Sequence, residues 1–318
     1  RASAHAAPPS GRHGHRQRRR LILGMAPAGA PGPAECVINI SEGRDRAVIE
    51  ELAAAGGDQL LDVHSDAVHH RSVLTLAGGL TDVEAAARRV ATAAVSIIDL
   101  TAHRGVHPRL GTVDVVPFVP LVDADGIITP WEAVVAARDA YAAWSGDTLG
   151  VPCFVYGPER SLPDVRRGAF TTLATDTGPP APHPTAGATA VGARDVLIAY
   201  NVWIEALPDR GDHGDDVVAV ARRLAGQLRR PGLRTLGLAV DGAAQVSCNV
   251  VDTDLVTLTD IYGAVEAGAG AEGYTSLRGE LVGLLPQSAL SAVPESRWAA
   301  LGLAAEDSIE FRLGTRRG

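Results

Sequence analysis

The stretch Glu35-Cys36-Val37-Ile38-Asn39-Ile40-Ser41-Glu42-Gly43-Arg44-Asp45-Arg46 changes character midway, and that change decides the fold. Cys36 to Ile40 is an apolar run of strand length, whereas Asp45 to Ala55 spaces its apolar residues as a helix does. Downstream, Leu60 to His64 predicts a second strand, and Ser72 to Ala77, with β-branched alternation, a third. Thr81-Asp82-Val83-Glu84 has the form of a capping box, in which the Thr hydroxyl and the Glu carboxylate satisfy free N–H groups at a helix start; that helix runs to about Asp99. Thr112 to Val119 follows as a strand, its Pro117 and Pro120 suiting an edge or a strand end. The order is βαββαβ, the split-βαβ or ferredoxin-like arrangement.

Beyond it, Thr129-Pro130-Trp131-Glu132 opens another helix and Pro152 to Tyr156 forms a strand. Between Leu173 and Gly192 the chain turns rich in Gly, Pro, Ala and Thr, the composition of a crossing between domains. After it the order recurs: strand Val196 to Ile204, helix Asp215 to Leu228, strands Thr235 to Val240 and Gln245 to Val251, a glycine-weakened helix from about Asp260, and strand Leu277 to Leu285. The expected class is α/β (α+β), with two ferredoxin-like βαββαβ subdomains built on mixed sheets. Residues 34–177 form the first, 178–192 connect, and 193–318 form the second. Residues 1–33 are a leader of Arg, His, Pro and Gly without one acidic residue, and translation is expected to start at Met25.

Composition removes several function classes. No stretch reaches the roughly 18 apolar residues of a membrane span. The three cysteines, Cys36, Cys153 and Cys248, form no Cys-x-x-Cys pair and leave an odd count, which fits a reducing cytoplasm. Without the six leader arginines the chain carries 23 basic against 37 acidic residues, a surface that repels nucleic-acid phosphates. It contains no lysine, so Schiff-base, P-loop and kinase-type lysine chemistry is excluded.

Histidines supply the candidate chemistry. His64, His69, His70, His103, His107 and His183 lie at strand ends or in loops, where binding groups are commonly held by a rigid scaffold. A metal site led by Asp62, His64, Asp66 and His69 is one reading, testable by metal analysis. His103 and His107 have a helical zinc spacing, but Gly105 and Pro108 take them off a helix. Acid–base work needs less special geometry: a histidine ordinarily exchanges protons near neutrality, and His107, in Arg104-Gly105-Val106-His107-Pro108-Arg109-Leu110-Gly111, is expected to be pinned by proline and glycine. Arg71 and Arg109 offer planar forks for carboxylates, and Glu42 and Asp114 could orient an imidazole. Alternation in Gln245-Val246-Ser247-Cys248-Asn249 sets Gln245, Ser247 and Asn249 on one polar, uncharged face, with Asn201 beside them, suited to the edges of a ligand ring.

These residues resemble the formiminotransferase domain family. The resemblance is carried by Glu35 to Arg44, Leu61-Asp62-Val63 with His70-Arg71-Ser72-Val73, and above all His103 to Gly111. Further carriers are Gly187-Ala188-Thr189, Gly192-Ala193-Arg194, Leu197 to Val202, Gln245-Val246-Ser247 with Asn249, and Leu281 to Leu284. It extends from Glu35 to the C-terminus, to the form without a cyclodeaminase domain. It implies transfer of a formimino group from N-formimino-L-glutamate to N5 of tetrahydrofolate, in histidine degradation and one-carbon metabolism. It also implies a cytoplasmic homodimer and a ligand tunnel between facing subdomain sheets, with tetrahydrofolate as co-substrate and no metal. The family's base falls on His107, supported by Asn39, Glu42, Asp62, His64, His70, Arg71 and Arg109. Its folate loop falls on Gly178-Pro179-Pro180-Ala181-Pro182-His183-Pro184-Thr185-Ala186-Gly187, with Asn201, Gln245, Ser247 and Asn249 completing the folate contacts. The chain departs from the pattern where the family often has Asp (His64), Asn (His70), Gln (Glu280), and Pro and Phe (Ile38, Ile40). Formyl transfer from N-formylglutamate, a catalytically silent folate-binding paralogue and a metal-dependent hydrolase are the competing readings.

Overall fold

Strand β1 (Pro33–Ile40) pairs antiparallel on one side with β3 (Arg71–Gly79) and on the other with β4 (Val113–Pro120) in the computed structural model, which describes residues 32–105, 109–123, 125–206, 214–240 and 243–315. With β2 (Leu60–Asp66), β5 (Cys153–Tyr156) and β6 (Thr189–Ala193) they make a six-stranded sheet in the order β2-β3-β1-β4-β6-β5, in which β6 runs parallel to both its neighbours. Helices α1 (Arg46–Gly56), α2 (Leu80–Ile97) and α3 (Trp131–Trp144) cover one face. Period-2 alternation decides which side chains they meet: Cys36, Ile38 and Ile40 pack in their core with Leu52, Val83 and Val90, leaving Glu35, Val37 and Asn39 to the other face. Asp45 starts α1 by accepting from the N–H groups of Ala47 and Val48. A short α4 (Leu162–Gly168), begun by a Ser161/Asp164 capping box, follows β5.

The second sheet contains β7 (Ile198–Ala206), β8 (Leu233–Val240), β9 (Ala243–Val250) and β10 (Tyr274–Val282) in the order β10-β7-β9-β8. It is backed by α5 (Gly214–Leu228) and α6 (Leu258–Ala271). Both halves therefore repeat one strand order, β2-β3-β1-β4 and β8-β9-β7-β10, as two ferredoxin-like units do. Three short helices, α7 (Gln287–Ser291), α8 (Trp298–Leu301) and α9 (Ile309–Thr315), end the described chain. Ile309 of α9 and Leu284 pack against Leu61 and Ala77 of the first half, and Arg312 donates to the Leu61 carbonyl at 3.4 Å. Among the described residues no helix is long and apolar enough to cross a membrane.

Five details differ from the sequence reading. The second sheet is antiparallel throughout, because its fourth strand has no parallel extension like β6. The connection assigned to 178–192 ends in a strand, since Thr189–Ala193 fills the gap between β4 and β5; Gly192 must lack a Cβ there because the Tyr156 ring occupies its place. Pro33, placed in the leader, belongs to β1, where its carbonyl accepts from Leu121 N and Thr129 Oγ1; residues 1–31, with Met25, lie outside the described residues. Helix α2 starts at Leu80, ahead of the Thr81 box, and Glu84 pairs with Arg88 instead of capping. Finally, β4 is interior despite Pro117. The β1–β4 pairing runs through Cys36–Phe118 and resumes at Asn39–Val115, and the interruption falls opposite the residue that has no N–H to give.

Candidate active site

At the end of β1 the chain turns under its own carboxylate: Glu42 Oε1 accepts from the N–H groups of Gly43, Arg44 and Asp45 at 2.8, 2.7 and 2.9 Å. Gly43 fits there because a Cβ would stand 2.5 Å from the Arg71 nitrogen. This turn lies against the β2–β3 hairpin, where Ser72 Oγ donates to the Glu42 carbonyl at 2.6 Å. In the hairpin loop Asp66 accepts from the N–H groups of Val68 and His69 at 2.8 Å and lies 2.6 Å from His69 Nδ1. Although burial opposes it, those bonds hold the Asp66 carboxyl below its ordinary range.

His70 closes the hairpin in the left-handed region, at φ 50°. Its Nδ1 lies 3.4 Å from Glu42 Oε1 but accepts the Gly43 N–H at 3.1 Å. An acceptor nitrogen is an unprotonated one, and burial, opposed by Glu42 and aided by Arg44 and Arg109, lowers the pKa of this ring. His70 is therefore neutral. His103 stacks on it with ring centroids 4.0 Å apart. Its Nε2 lies 3.0 Å from the His70 carbonyl, and Arg109 Nη1 reaches both ring nitrogens, 2.6 Å from Nδ1 and closer still to Nε2. Burial, and after the opposing carbonyl bond the Arg109 cation, depress this ring too. Arg109 also donates to the His69 carbonyl at 3.4 Å.

His107 lies outside the described residues, but both flanks of its loop are fixed. A Cβ on Gly105 would stand 2.8 Å from the His69 carbonyl and 2.9 Å from His70 Cβ, so the loop enters in direct contact with the hairpin. Gly105→Ala should cost about 1–3 kcal/mol, the usual scale of overpacking, read as a lower urea midpoint with m unchanged. On the exit side, Leu110 N donates to Asp114 Oδ1 at 2.6 Å, and Gly111, whose carbonyl accepts from Ser41 Oγ at 2.8 Å, pairs with Gly187. Asp114 also receives a fork from Arg166 on α4, Nη1 to Oδ1 at 2.9 Å and Nη2 to Oδ2. Arg71 is half-buried nearby; burial lowers its pKa against the pull of Asp114 and Asp66.

The 178–187 segment lies next to that exit. Gly178 adopts φ 78° against Gly146 and Pro152, residues 178–182 are exposed, and His183 exchanges two backbone bonds with Gly187. His183 Nδ1 accepts from the Thr185 and Ala186 N–H groups, which makes it a turn-former.

Asn201, Gln245, Ser247 and Asn249 do share one face of the second sheet, as their alternation predicts: Asn201 stands opposite both Ser247 and Glu280, and Trp203 opposite Gln245. Glu280 Oε2 collects three donors, Asn201 Nδ2 at 3.1 Å, Trp203 Nε1 at 2.9 Å and Gln245 Nε2 at 3.1 Å. Its Oε1 is 3.9 Å from His64 Nε2, so the open faces of the two sheets meet at this pair. Asn39 and Asp62 lie on the same first-sheet face. Asn39 makes a long bond to the Val37 carbonyl, at 3.5 Å, while Asp62 is 4.0 Å from Arg312. Between the faces, Thr75 Oγ1 and Gln245 Oε1 are buried without a hydrogen-bond partner. Among the described residues no three His, Cys, Asp or Glu side chains converge as metal ligands would. Sequence reading missed Arg166 and Trp203. Trp203 was accessible through its period-2 relation to Asn201, whereas Arg166, 52 positions from its partner, left no signal.

Comparison with known proteins gives a consistent picture. Residues 33–194 match the formiminotransferase domain, N-terminal subdomain. A glutamate formimidoyltransferase of Streptococcus pyogenes serotype M1 is 36% identical over 287 residues, spanning 82% of this chain and 91% of that protein. A glutamate formimidoyltransferase of Thermoplasma acidophilum is 32% identical over 276 residues, spanning 80% and 89%. The formimidoyltransferase-cyclodeaminase of Gallus gallus is 34% identical over 288 residues, and the chain spans 50% of its length.

Proposed function

The chain belongs to the formiminotransferase domain family, and from that premise we propose that it is a glutamate formimidoyltransferase, moving the formimino group of N-formimino-L-glutamate to N5 of tetrahydrofolate. The observation that carries this reading is that both flanks of the 103–111 loop are held, its entry against the histidine-rich hairpin and its exit by Asp114 and the 178–187 segment, with Arg109 on the exit flank. His107 is the base. N5 attacks the amidine carbon, the base takes the N5 proton, and the tetrahedral intermediate collapses as the same proton passes to the departing glutamate nitrogen. A histidine near its ordinary pKa suits both halves of that transfer.

The other residues bind and orient. Arg44, Arg71 and Arg109 gather positive charge around the loop, which attracts the two carboxylates of the donor. Asn39, Asp62 and His64 on the first sheet, and Asn201, Gln245, Ser247 and Asn249 on the second, line the space where the pterin enters; the orphaned Thr75 and Gln245 oxygens await polar partners there. The 178–187 segment, exposed over 178–182, closes over the folate. Glu42 and His70 set the floor of the site, with Glu42 committed to backbone N–H groups. No metal enters this chemistry, and the enzyme works in the cytoplasm as a homodimer.

The test mixes purified protein with tetrahydrofolate and N-formimino-L-glutamate, with N-formylglutamate in parallel. The reading expects an ultraviolet change of the folate with stoichiometric free glutamate from the formimino donor. Inertness with that donor overturns it; activity with N-formylglutamate alone makes the enzyme a formyltransferase, and donor loss without folate change makes it a hydrolase.

A further inference from the structure

We propose that Arg166 and Asp114 form a brace that positions the 103–111 loop for group transfer, so that Arg166, on a helix far from the loop in sequence, governs turnover without touching substrate. This rests on the assignment of the base to His107.

The first observation is a bulge. Asn39 and Ile40, adjacent on β1, pair with Val115 and Val113 on β4, leaving Asp114 as the extra residue between them. A bulge re-aims the side chain it contains, and bulges are enriched beside active sites. Here the carboxylate, with its side chain only 4% exposed, accepts from the Leu110 N–H at 2.6 Å and receives the Arg166 fork. It holds the loop one residue beyond Arg109.

The second observation is how Arg166 is itself held. Helix α4 starts on the Ser161/Asp164 capping box, and Val165 packs with Phe154, Tyr156 and Ala190 beside the β5–β6 edge, so the residue after Val165 is delivered to a fixed place. A buried carboxylate bonded to one backbone N–H is costly without cations; Arg71 and Arg109 contribute charge at a distance, and the bidentate Arg166 guanidinium both adds to it and fixes the rotation of the carboxylate. The direction of the Leu110 bond therefore depends on Arg166. Displacement of a reacting group by about 1 Å can cost about 10²-fold in rate.

Arg166→Met should lower kcat by about 10²-fold and leave KM for tetrahydrofolate within about twofold. Arg166→Lys, a point charge in place of a fork, should recover part of that loss. The double variant Asp114→Asn/Arg166→Met removes the stranded buried charge and should regain the thermal stability lost in Arg166→Met, with kcat still low. If kcat returns together with stability, the pair is merely structural and the proposal fails; it fails equally if Arg166→Met keeps wild-type kcat. His107→Ala, assayed alongside, separates the two ideas: activity retained there overturns the base assignment, whatever the brace variants do.

Discussion

His107→Ala lowers kcat by about 10²–10⁴-fold, the usual worth of a positioned proton shuttle, while tetrahydrofolate still binds. The neighbouring rings explain why the loss should concentrate at this position. His103 is held by the His70 carbonyl at Nε2 and by Arg109 Nη1 against both ring nitrogens. His70 has Nδ1 filled by the Gly43 N–H, and His69 Nδ1 is taken by Asp66. Each is committed to holding the hairpin and loop together. Burial, with the Arg109 cation aiding it, also keeps the His70 and His103 rings neutral at lower pH than a free histidine, so they form a fixed platform with little capacity to accept protons. His70→Asn should therefore keep most activity. Single-turnover kinetics with separately measured folate binding checks both variants; wild-type turnover in His107→Ala would remove the assignment.

Much of this was readable from local pattern. The strand at Cys36 to Ile40, the helix from Asp45 and the recurrent βαββαβ order depend on residues close in sequence, and the structure reproduces them. The Gln245-Ser247-Asn249 face was legible because a strand has period 2. What escaped was set by tertiary partners. The capping box at Thr81 was overridden because Leu80 N is satisfied by the Gly32 carbonyl, a residue brought there by β1. Strand β6 is five small residues, too weak a signal to separate from the loop before it, and exists because β4 and β5 leave a slot. Pro117 argued for an edge because sequence cannot say which ladder bond is dispensable. At the site, residue types were legible and pairings were not: Glu280 looked like an isolated departure, yet its three donors and its approach to His64 make it a junction between the sheets.

Glu35→Gln should stabilise the protein at pH 8 by about 3 kcal/mol and remove the fall in stability that Glu35 contributes between pH 4.5 and 7. Glu35 is 2% exposed on β1, opposite Ala77, on the side where Ile309 of α9 packs. Burial pushes its carboxyl up from 4.5 to about 7, Arg194 partly offsetting this and Glu310 adding to it. Below pH 4.5 both folded and unfolded chains hold the proton, and the contribution is fully present. Between 4.5 and 7 the unfolded chain has released it and the folded chain has not, so stability falls by about 1.4 kcal/mol per pH unit. Above 7 both are ionised and the loss is complete. Glutamine occupies nearly the same volume without a charge, so the slope disappears, and any misfit of its amide shifts stability equally at every pH. Asp66 and Glu159, whose pKa values are lowered, contribute the opposite slope, but only as pH falls below their unfolded values near 4. In the window from pH 5 to 7, His70 and His103, whose pKa values are lowered from 6.5, make stability rise with pH, so Glu35 is isolated there by the difference between the two proteins, in which the histidine contributions cancel. Urea unfolding of both proteins across that window gives the difference directly, and a variant that runs parallel to wild type would show that Glu35 is ionised in the fold, with Arg194 compensating its burial.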